Sequence, residues 1–314
     1  MTQYDYDLII IGGGPAGYSA GIYAARAALN ILVIEQGMPG GQIATSDMID
    51  NYPGIPSISG VEIGSRIQSH AEQAGAKTAY AMVEALDRDD EGIFTVTTNT
   101  DTFRAPSIIM ATGASPRPAG FDGEEKFRGR GVSYCATCDG MFYRNKTVFV
   151  IGGGNSAVEE AIYLSHVAKE VIMVVRRDAF RASKGMVRRL QAIENISIRY
   201  LTSIEKLDGE TMPATIVFRD NSTGHTYTES LDPGSFGIFV FTGTTPNAGL
   251  ITHLVDTTES GAVVANERME TKTDGLFVAG DIRDTVLRQV ITAASDGAVA
   301  ATSAYRYLDH QGYI

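Results

Sequence analysis

Two Rossmann-like domains, the second inserted into the first, make up the α/β fold that this 314-residue sequence predicts. Three observations carry the prediction. A unit of strand, glycine loop, helix and strand occurs twice. A strand near the C-terminus has no glycine loop of its own. Two proline-bearing segments divide the chain. Each domain is expected to stack three layers about a largely parallel sheet.

The first unit opens with Asp7-Leu-Ile-Ile-Ile11, an apolar, β-branched run that stops at glycine and reads as a buried strand. Gly12, Gly14 and Gly17 then form a dinucleotide fingerprint that includes Pro15 and Ala16. Gly12 permits the tight turn, Gly14 lets backbone approach a pyrophosphate, and Gly17 lets helix and strand pack closely. A helix is expected over Tyr18–Leu29, its first amides facing the phosphate charge. The strand Ile31–Ile34 ends on Glu35, placed to accept hydrogen bonds from ribose hydroxyls, with Gln36 beside it.

Segments 38–42 and 50–54 are loops by composition. A helix is expected over Gly60–Gly75, a strand pair over Glu84–Thr100, and a strand over Ser107–Met110 that runs into Thr112-Gly113. Ala114-Ser115-Pro116-Arg117-Pro118 reads as a linker, because its two prolines oppose both helix and ladder.

The second unit repeats the first. Thr147–Ile151 is its strand, Gly152, Gly154 and Ala157 are its fingerprint around Asn155 and Ser156, and Ala157–His166 is its helix. The strand Val171–Val175 follows, and Val175 occupies the place of Glu35. Arg176, Arg177 and Arg181 come next. An acid at this point would repel a 2′-phosphate, whereas guanidinium groups grip one, so the second site is expected to prefer NADPH over NADH. A solvated basic stretch is the plainer alternative.

Cys135 and Cys138 are the only cysteines and lie just ahead of the second fingerprint. A zinc site needs about four ligands; there is no second cysteine pair, and the five histidines are scattered. A structural disulfide is disfavoured in a reducing compartment. A redox dithiol remains, with a thiolate favoured if the motif starts a helix. Asp139 stands beside it as a proton shuttle or as a helix N-cap.

Past a second linker, Thr244–Asn247, the strand Gly275–Ala279 leads to Gly280-Asp281, where Asp281 is either at a strand end at which α/β sheets bind ligands or a plain turn former. A helix is expected over Ala293–Leu308. Without a fingerprint of its own, this segment is expected to complete the first domain's sheet. The domains are then 1–115 with 246–314, and 116–245.

Bulk properties narrow the class. Hydrophobic content of 44% with 20% charged residues is ordinary for a soluble globular chain. A net charge of −11 argues against nucleic-acid binding. Residues Met1–Asp7 are acidic, unlike the start of a secretory signal, and Leu8–Ile11 is too short to span a membrane. A soluble, cytoplasmic protein is the expectation.

Taken together, the stretches Gly12–Gly17, Gly40–Gln42, Ala111–Gly113, Cys135–Gly140, Gly152–Ala157, Arg176–Arg181, Gly280-Asp281, Arg288-Gln289 and Thr292-Ala293 resemble the low-molecular-weight, bacterial-type thioredoxin reductases over essentially the full chain. The resemblance implies FAD in the first site, with Glu35 on the adenosine ribose, Gly41, Gln42 and Asn51 toward the flavin half, and Asp281 toward the ribitol. Arg288, Gln289 and the backbone of Val290 would lie beside the flavin. It implies electron flow from NADPH through FAD and the Cys135–Cys138 disulfide to thioredoxin, with Cys138 facing the flavin, Cys135 attacking the partner and Asp139 handling the proton. It further implies a homodimer and an NADPH domain that swivels on the two linkers. The family usually has His where this chain has Val175, so weakened NADPH binding is expected. A reductase fed by ferredoxin or a dithiol oxidase is the alternative within enzymes, and a flavin-binding scaffold the alternative outside them.

Overall fold

The computed structural model describes residues 4–46, 48–49 and 51–314, so part of the N-terminal acidic stretch (1–3) and Asp50 of the second predicted loop lie outside the described residues. The chain forms two compact units, Met1–Ser115 with Thr245–Ile314, and Pro116–Thr244.

The first unit begins with β1 (Leu8–Ile11), α1 (Pro15–Arg26) and β2 (Ile31–Glu35). Helix α1 starts at Pro15 rather than at Tyr18, because a proline at the first helical position gives up only an amide that no turn would use. It ends at Arg26 rather than at Leu29, where Ala28 adopts a left-handed φ of 62°. Helix α2 (Gly60–Ala74) is capped by the Ser59 hydroxyl and closed by Gly75. Strands β3 (Lys77–Tyr80), β4 (Val83–Arg88), β5 (Phe94–Thr98), β6 (Thr102–Ala105) and β7 (Ser107–Met110) follow. The pair expected over Glu84–Thr100 is thus a three-stranded antiparallel meander, β4-β5-β6.

The predicted first linker does form a ladder. Ala114–Pro116 is a short strand, β8. Pro116 stands at its end, in a ribbon of two strands where a missing amide costs no partner.

The second unit comprises β9 (Val132–Ser133), α3 (Ala136–Asp139), β10 (Thr147–Ile151), α4 (Asn155–Ser165), β11 (Glu170–Val174), α5 (Lys184–Gln191) and β12 (Ile196–Arg199). A second meander, β13 (Thr202–Asp208), β14 (Thr215–Asp220) and β15 (Thr226–Ser230), precedes β16 (Phe236–Val240). The parallel sheet runs β12-β11-β10-β16-β9. Its two faces bury alternate residues of one strand. Val148 and Val150 join the helices' cluster, while Phe149 and Ile151 join the meander's.

The returning strand β17 (Thr244–Pro246) pairs with β8. Strand β18 (Leu276–Val278) lies parallel to β7 and completes the first unit's sheet, β18-β7-β1-β2-β3. Helix α6 spans Val290–Gln311, three residues longer at each end than expected. Gln289 caps it reciprocally with Thr292, and Gly312 ends it at a φ of 73°. Tyr313 then packs on Tyr4 and Tyr307, with ring centroids 6.1 and 6.3 Å apart. In this unit too the helices cover one sheet face and the meander the other. Each unit, taken by itself, therefore has three layers, built in the same order.

Candidate functional site

The cysteines sit at the turn from β9 into α3. They are joined as a disulfide with Cα atoms 5.3 Å apart. Cys135 is the N-cap of α3, and the Cys138 amide donates to its Sγ at 3.2 Å. Thr137 Oγ1 lies 3.5 Å from the same sulfur. An amide aimed at Sγ favours a thiolate there once the disulfide opens.

Asp139 does not cap a helix through its side chain. Its carboxylate instead accepts from the buried Ser133 hydroxyl at 2.6 Å. The residue before Cys135 is tied down as well. Tyr134 donates its hydroxyl to Glu124 at 2.6 Å, and Glu124 also accepts the Ala119 and Gly120 amides at 2.9 and 2.6 Å. Burial first, and then this bond to Glu124, push the Tyr134 pKa up. Neither Ser133 nor Glu124 carries a motif, and sequence reasoning missed both.

In the first unit, β1, β2, β7 and β18 all end at the same edge of a parallel sheet, and most of the predicted residues gather there. Gly12 has a φ of 109°, and a Cβ there would run into the Ala111 carbonyl. A Cβ at Gly17 would strike the carbonyl of Gly12. Around Gly14, by contrast, the nearest atom to such a Cβ is Gly40 O at 3.8 Å, which leaves room for a ligand to approach backbone. The Gly40 amide donates to Gly13 O at 2.9 Å and seats the Gly41-Gln42 turn on the fingerprint.

Glu35 is only 8% exposed. Its carboxylate accepts the Gly13 amide at 2.6 Å and the Gly37 amide at 2.7 Å, while Gln36 is exposed. Asn51 Nδ2 donates to Gln289 Oε1 at 3.0 Å, joining two predicted residues far apart in sequence. Thr112 is anchored by its hydroxyl to Asn247 O at 2.8 Å, next to Gly113. Val290 buries its side chain among Ile49, Ile58 and Ile63.

At the Gly280-Asp281 corner, Asp296 of α6 accepts from the Gly280 amide at 3.2 Å and from Arg283 Nε at 3.0 Å. Burial pushes the Asp281 pKa up to about 6; the Arg288 charge opposes that rise and Asp296 adds to it.

In the second unit, Gly152 has a φ of 147° and its absent Cβ would lie 2.5 Å from Phe241 O. Nothing lies within 4 Å of a Cβ at Gly154, so this loop also has an open face. Asn155 and Ser156 are exposed, and Ala157 is buried beneath Gly152. The basic loop folds back onto this fingerprint. Arg181 and Ala182 donate their amides to Gly153 O at 2.7 and 3.1 Å, and Asn155 Oδ1 accepts the Ser183 amide at 3.0 Å. Arg176, Arg177 and Arg181 are exposed. Val175 is 2% exposed and belongs to the core cluster under Gly153. Position 175 is therefore a packing position in this chain.

Two fingerprint loops with open faces and a Cys-x-x-Cys disulfide define a two-domain disulfide oxidoreductase. Residues 6–297 match the pyridine nucleotide-disulphide oxidoreductase family model. The chain is 43% identical over 308 residues to the thioredoxin reductase of Treponema pallidum, covering 98% of both, and 40% identical over 310 residues to that of Bacillus subtilis, covering 97% and 95%. The crystal structure of thioredoxin reductase from Streptococcus pyogenes superposes with a TM-score of 0.90 at 38% identity, covering 97% of this chain and 98% of that one.

The chain belongs to the low-molecular-weight thioredoxin reductases of the pyridine nucleotide-disulphide oxidoreductase family. That membership implies flavin and nicotinamide cofactors. Among the described residues no helix is long and apolar enough to cross a membrane.

Proposed function

We propose that the protein passes electrons from NADPH through FAD and the Cys135–Cys138 dithiol to oxidised thioredoxin. The single observation that carries the reading is the disulfide itself, with the Cys138 amide directed at the sulfur of Cys135. FAD suits the unit formed by residues 1–115 and 246–314, where Gly14 leaves space for a pyrophosphate and Glu35 ends the correct strand. NADPH suits residues 116–245, where Gly154 is open and three exposed arginines follow the matching strand. When bound, the flavin would supply the conversion of a two-electron hydride transfer into disulfide reduction.

The chain's own residues would do the rest. Asp281, Arg288 and the α6 N-terminus would orient the flavin, together with the Asn51–Gln289 pair. Cys138 would receive the electrons, and Cys135, its thiolate favoured by the Cys138 amide, would attack the partner's disulfide. Asp139 would supply or take the proton that the exchange needs. The sulfurs of the partner leave as two thiols, and Cys135–Cys138 returns to the disulfide. In keeping with this reading the enzyme would be a cytoplasmic homodimer.

Anaerobic addition of NADPH to the purified flavoprotein should bleach the flavin, and oxidised bacterial thioredoxin should then restore its colour. Bleaching by reduced ferredoxin but not by NADPH would transfer the donor assignment to the alternative reading. Cys135→Ser and Cys138→Ser should each keep flavin and lose thioredoxin reduction; turnover retained by either would refute the relay.

A further inference from the structure

Ser133 sets a buried hydroxyl beside the disulfide segment. It is the last residue of β9, held in register with Phe239 of β16, and it is 5% exposed. Three polar atoms surround its Oγ. Asp139 Oδ2 lies at 2.6 Å, the Cys135 carbonyl oxygen at 3.2 Å, and the Cys135 amide donates to Oγ at 3.1 Å. The Asp139 amide in turn donates to the Cys135 carbonyl at 3.1 Å.

A serine hydroxyl has one proton and two lone pairs. One lone pair is taken by the Cys135 amide. The proton then has two acceptors in reach, and the shorter contact belongs to the carboxylate. When Asp139 is ionised, the hydroxyl donates to Oδ2 as a charge-assisted bond. When Asp139 is protonated, the direction reverses. The carboxylic acid donates to the second lone pair of Oγ, and the serine proton turns to the Cys135 carbonyl. Neither state leaves a buried polar atom unpaired, so the carboxyl group can gain or lose its proton without rearranging the backbone of Cys135.

We propose that Ser133 is a positioning residue for disulfide exchange, a hydroxyl rotor that holds Asp139 against the Cys135 backbone in both protonation states. The proposal rests on the reading of Asp139 as the proton-handling group and goes beyond it by naming what aims that group. No bond is made or broken at Ser133. The proton gained or lost at Oδ2 is matched by reversal of the Asp139–Ser133 hydrogen bond and by the serine proton turning to or from the Cys135 carbonyl.

The test uses dithiothreitol-reduced holoenzyme mixed with oxidised bacterial thioredoxin in single turnover across the pH range. Asp139→Asn should abolish one limb of the pH–rate profile. Ser133→Ala should slow the step roughly ten- to a hundredfold by loss of orientation. It should also move that same limb to higher pH, because the carboxylate loses a donor that favours its charged form. Ser133→Thr, which keeps a hydroxyl, should restore the parent profile.

If Asp139→Asn removes the limb while Ser133→Ala leaves it in place, the rotor is overturned and the Asp139 reading stands. Slowing by Ser133→Ala that is equal at every pH and not rescued by threonine also overturns the rotor, as a purely structural effect. If Asp139→Asn keeps the limb, the proton role fails and the rotor fails with it.

Discussion

The Gly13 amide donates to the Glu35 carboxylate at 2.6 Å, so the acid at the end of β2 is bound into the fingerprint loop itself. The Gly37 amide occupies its other oxygen at 2.7 Å. Glu35 therefore holds the loop's shape before any ribose arrives. Glu35→Ala would leave two amides without an acceptor, at about 1–3 kcal/mol for each. The flavin-free variant should melt lower than the parent by calorimetry, and flavin affinity should fall at least about tenfold. Unchanged melting with weakened flavin would mean the acid serves the ligand alone.

The arginine loop calls for a different measurement. Its fold depends on amide bonds from Arg181 and Ala182 to Gly153, which leave the guanidinium groups outside that network. Arg176→Gln, Arg177→Gln and Arg181→Gln should each raise KM for NADPH by roughly tenfold or more, the worth of a charged hydrogen bond. Values of kcat should hold, and KM for NADH should not move. Equal losses for both nucleotides would remove the 2′-phosphate assignment. Val175→His should not improve NADPH binding, since residue 175 is buried in the apolar cluster beneath Gly153. An imidazole placed there without a partner should lower stability by about 1–3 kcal/mol, read from the denaturation midpoint.

Much of this architecture was legible in the chain because the parallel strands are buried on both faces. Leu8–Ile11 and Thr147–Ile151 read as continuous apolar runs, and each is followed at once by its glycine loop. The meanders were harder to read. Strand Thr226–Ser230 is polar and mostly exposed, so no apolar period marks it. The ribbon of β8 and β17 defied its prolines because each strand is an edge. Within the site, Asn51 and Gln289 could be named separately, but their bond spans 238 residues and only the fold reveals it. Ser133 and Glu124 meet the cysteine segment through side-chain hydrogen bonds that only the fold reveals, and these leave no spacing to recognise.

Asp281 gives a pH prediction. Burial raises its pKa from 3.8 to about 6, so the folded protein holds this proton more tightly than the unfolded chain does. The ionised form is the costly one in the fold. Stability of the flavin-free protein should therefore fall as pH rises from about 4 to 6, by up to about 3 kcal/mol, and level off above. Asp281→Asn should flatten that slope and raise the denaturation midpoint at pH 7, while weakening flavin binding. A midpoint that instead rises between pH 4 and 6 in the parent, with no change of slope in the variant, would remove Asp281 as the cause.

Two glycines on helices separate packing from propensity. Alanine in place of an interior helix glycine is favourable by up to about 1 kcal/mol where space allows. At Gly185, in the first turn of α5, nothing lies within 4 Å of an added Cβ, so Gly185→Ala should raise stability by a fraction of that figure. At Gly297 of α6 the same Cβ would drive into the carbonyl oxygen of Ala16 and lie 3.0 Å from the Ala20 amide nitrogen, both on α1. Helix α6 can reach α1 this closely only because residue 297 has no side chain. Gly297→Ala should reverse the sign and cost about 1–3 kcal/mol through the displaced helix. Because Ala16 belongs to the fingerprint, flavin affinity should drop with it, by equilibrium dialysis. If Gly297→Ala stabilises the protein as Gly185→Ala does, the α1–α6 contact is looser than this geometry requires.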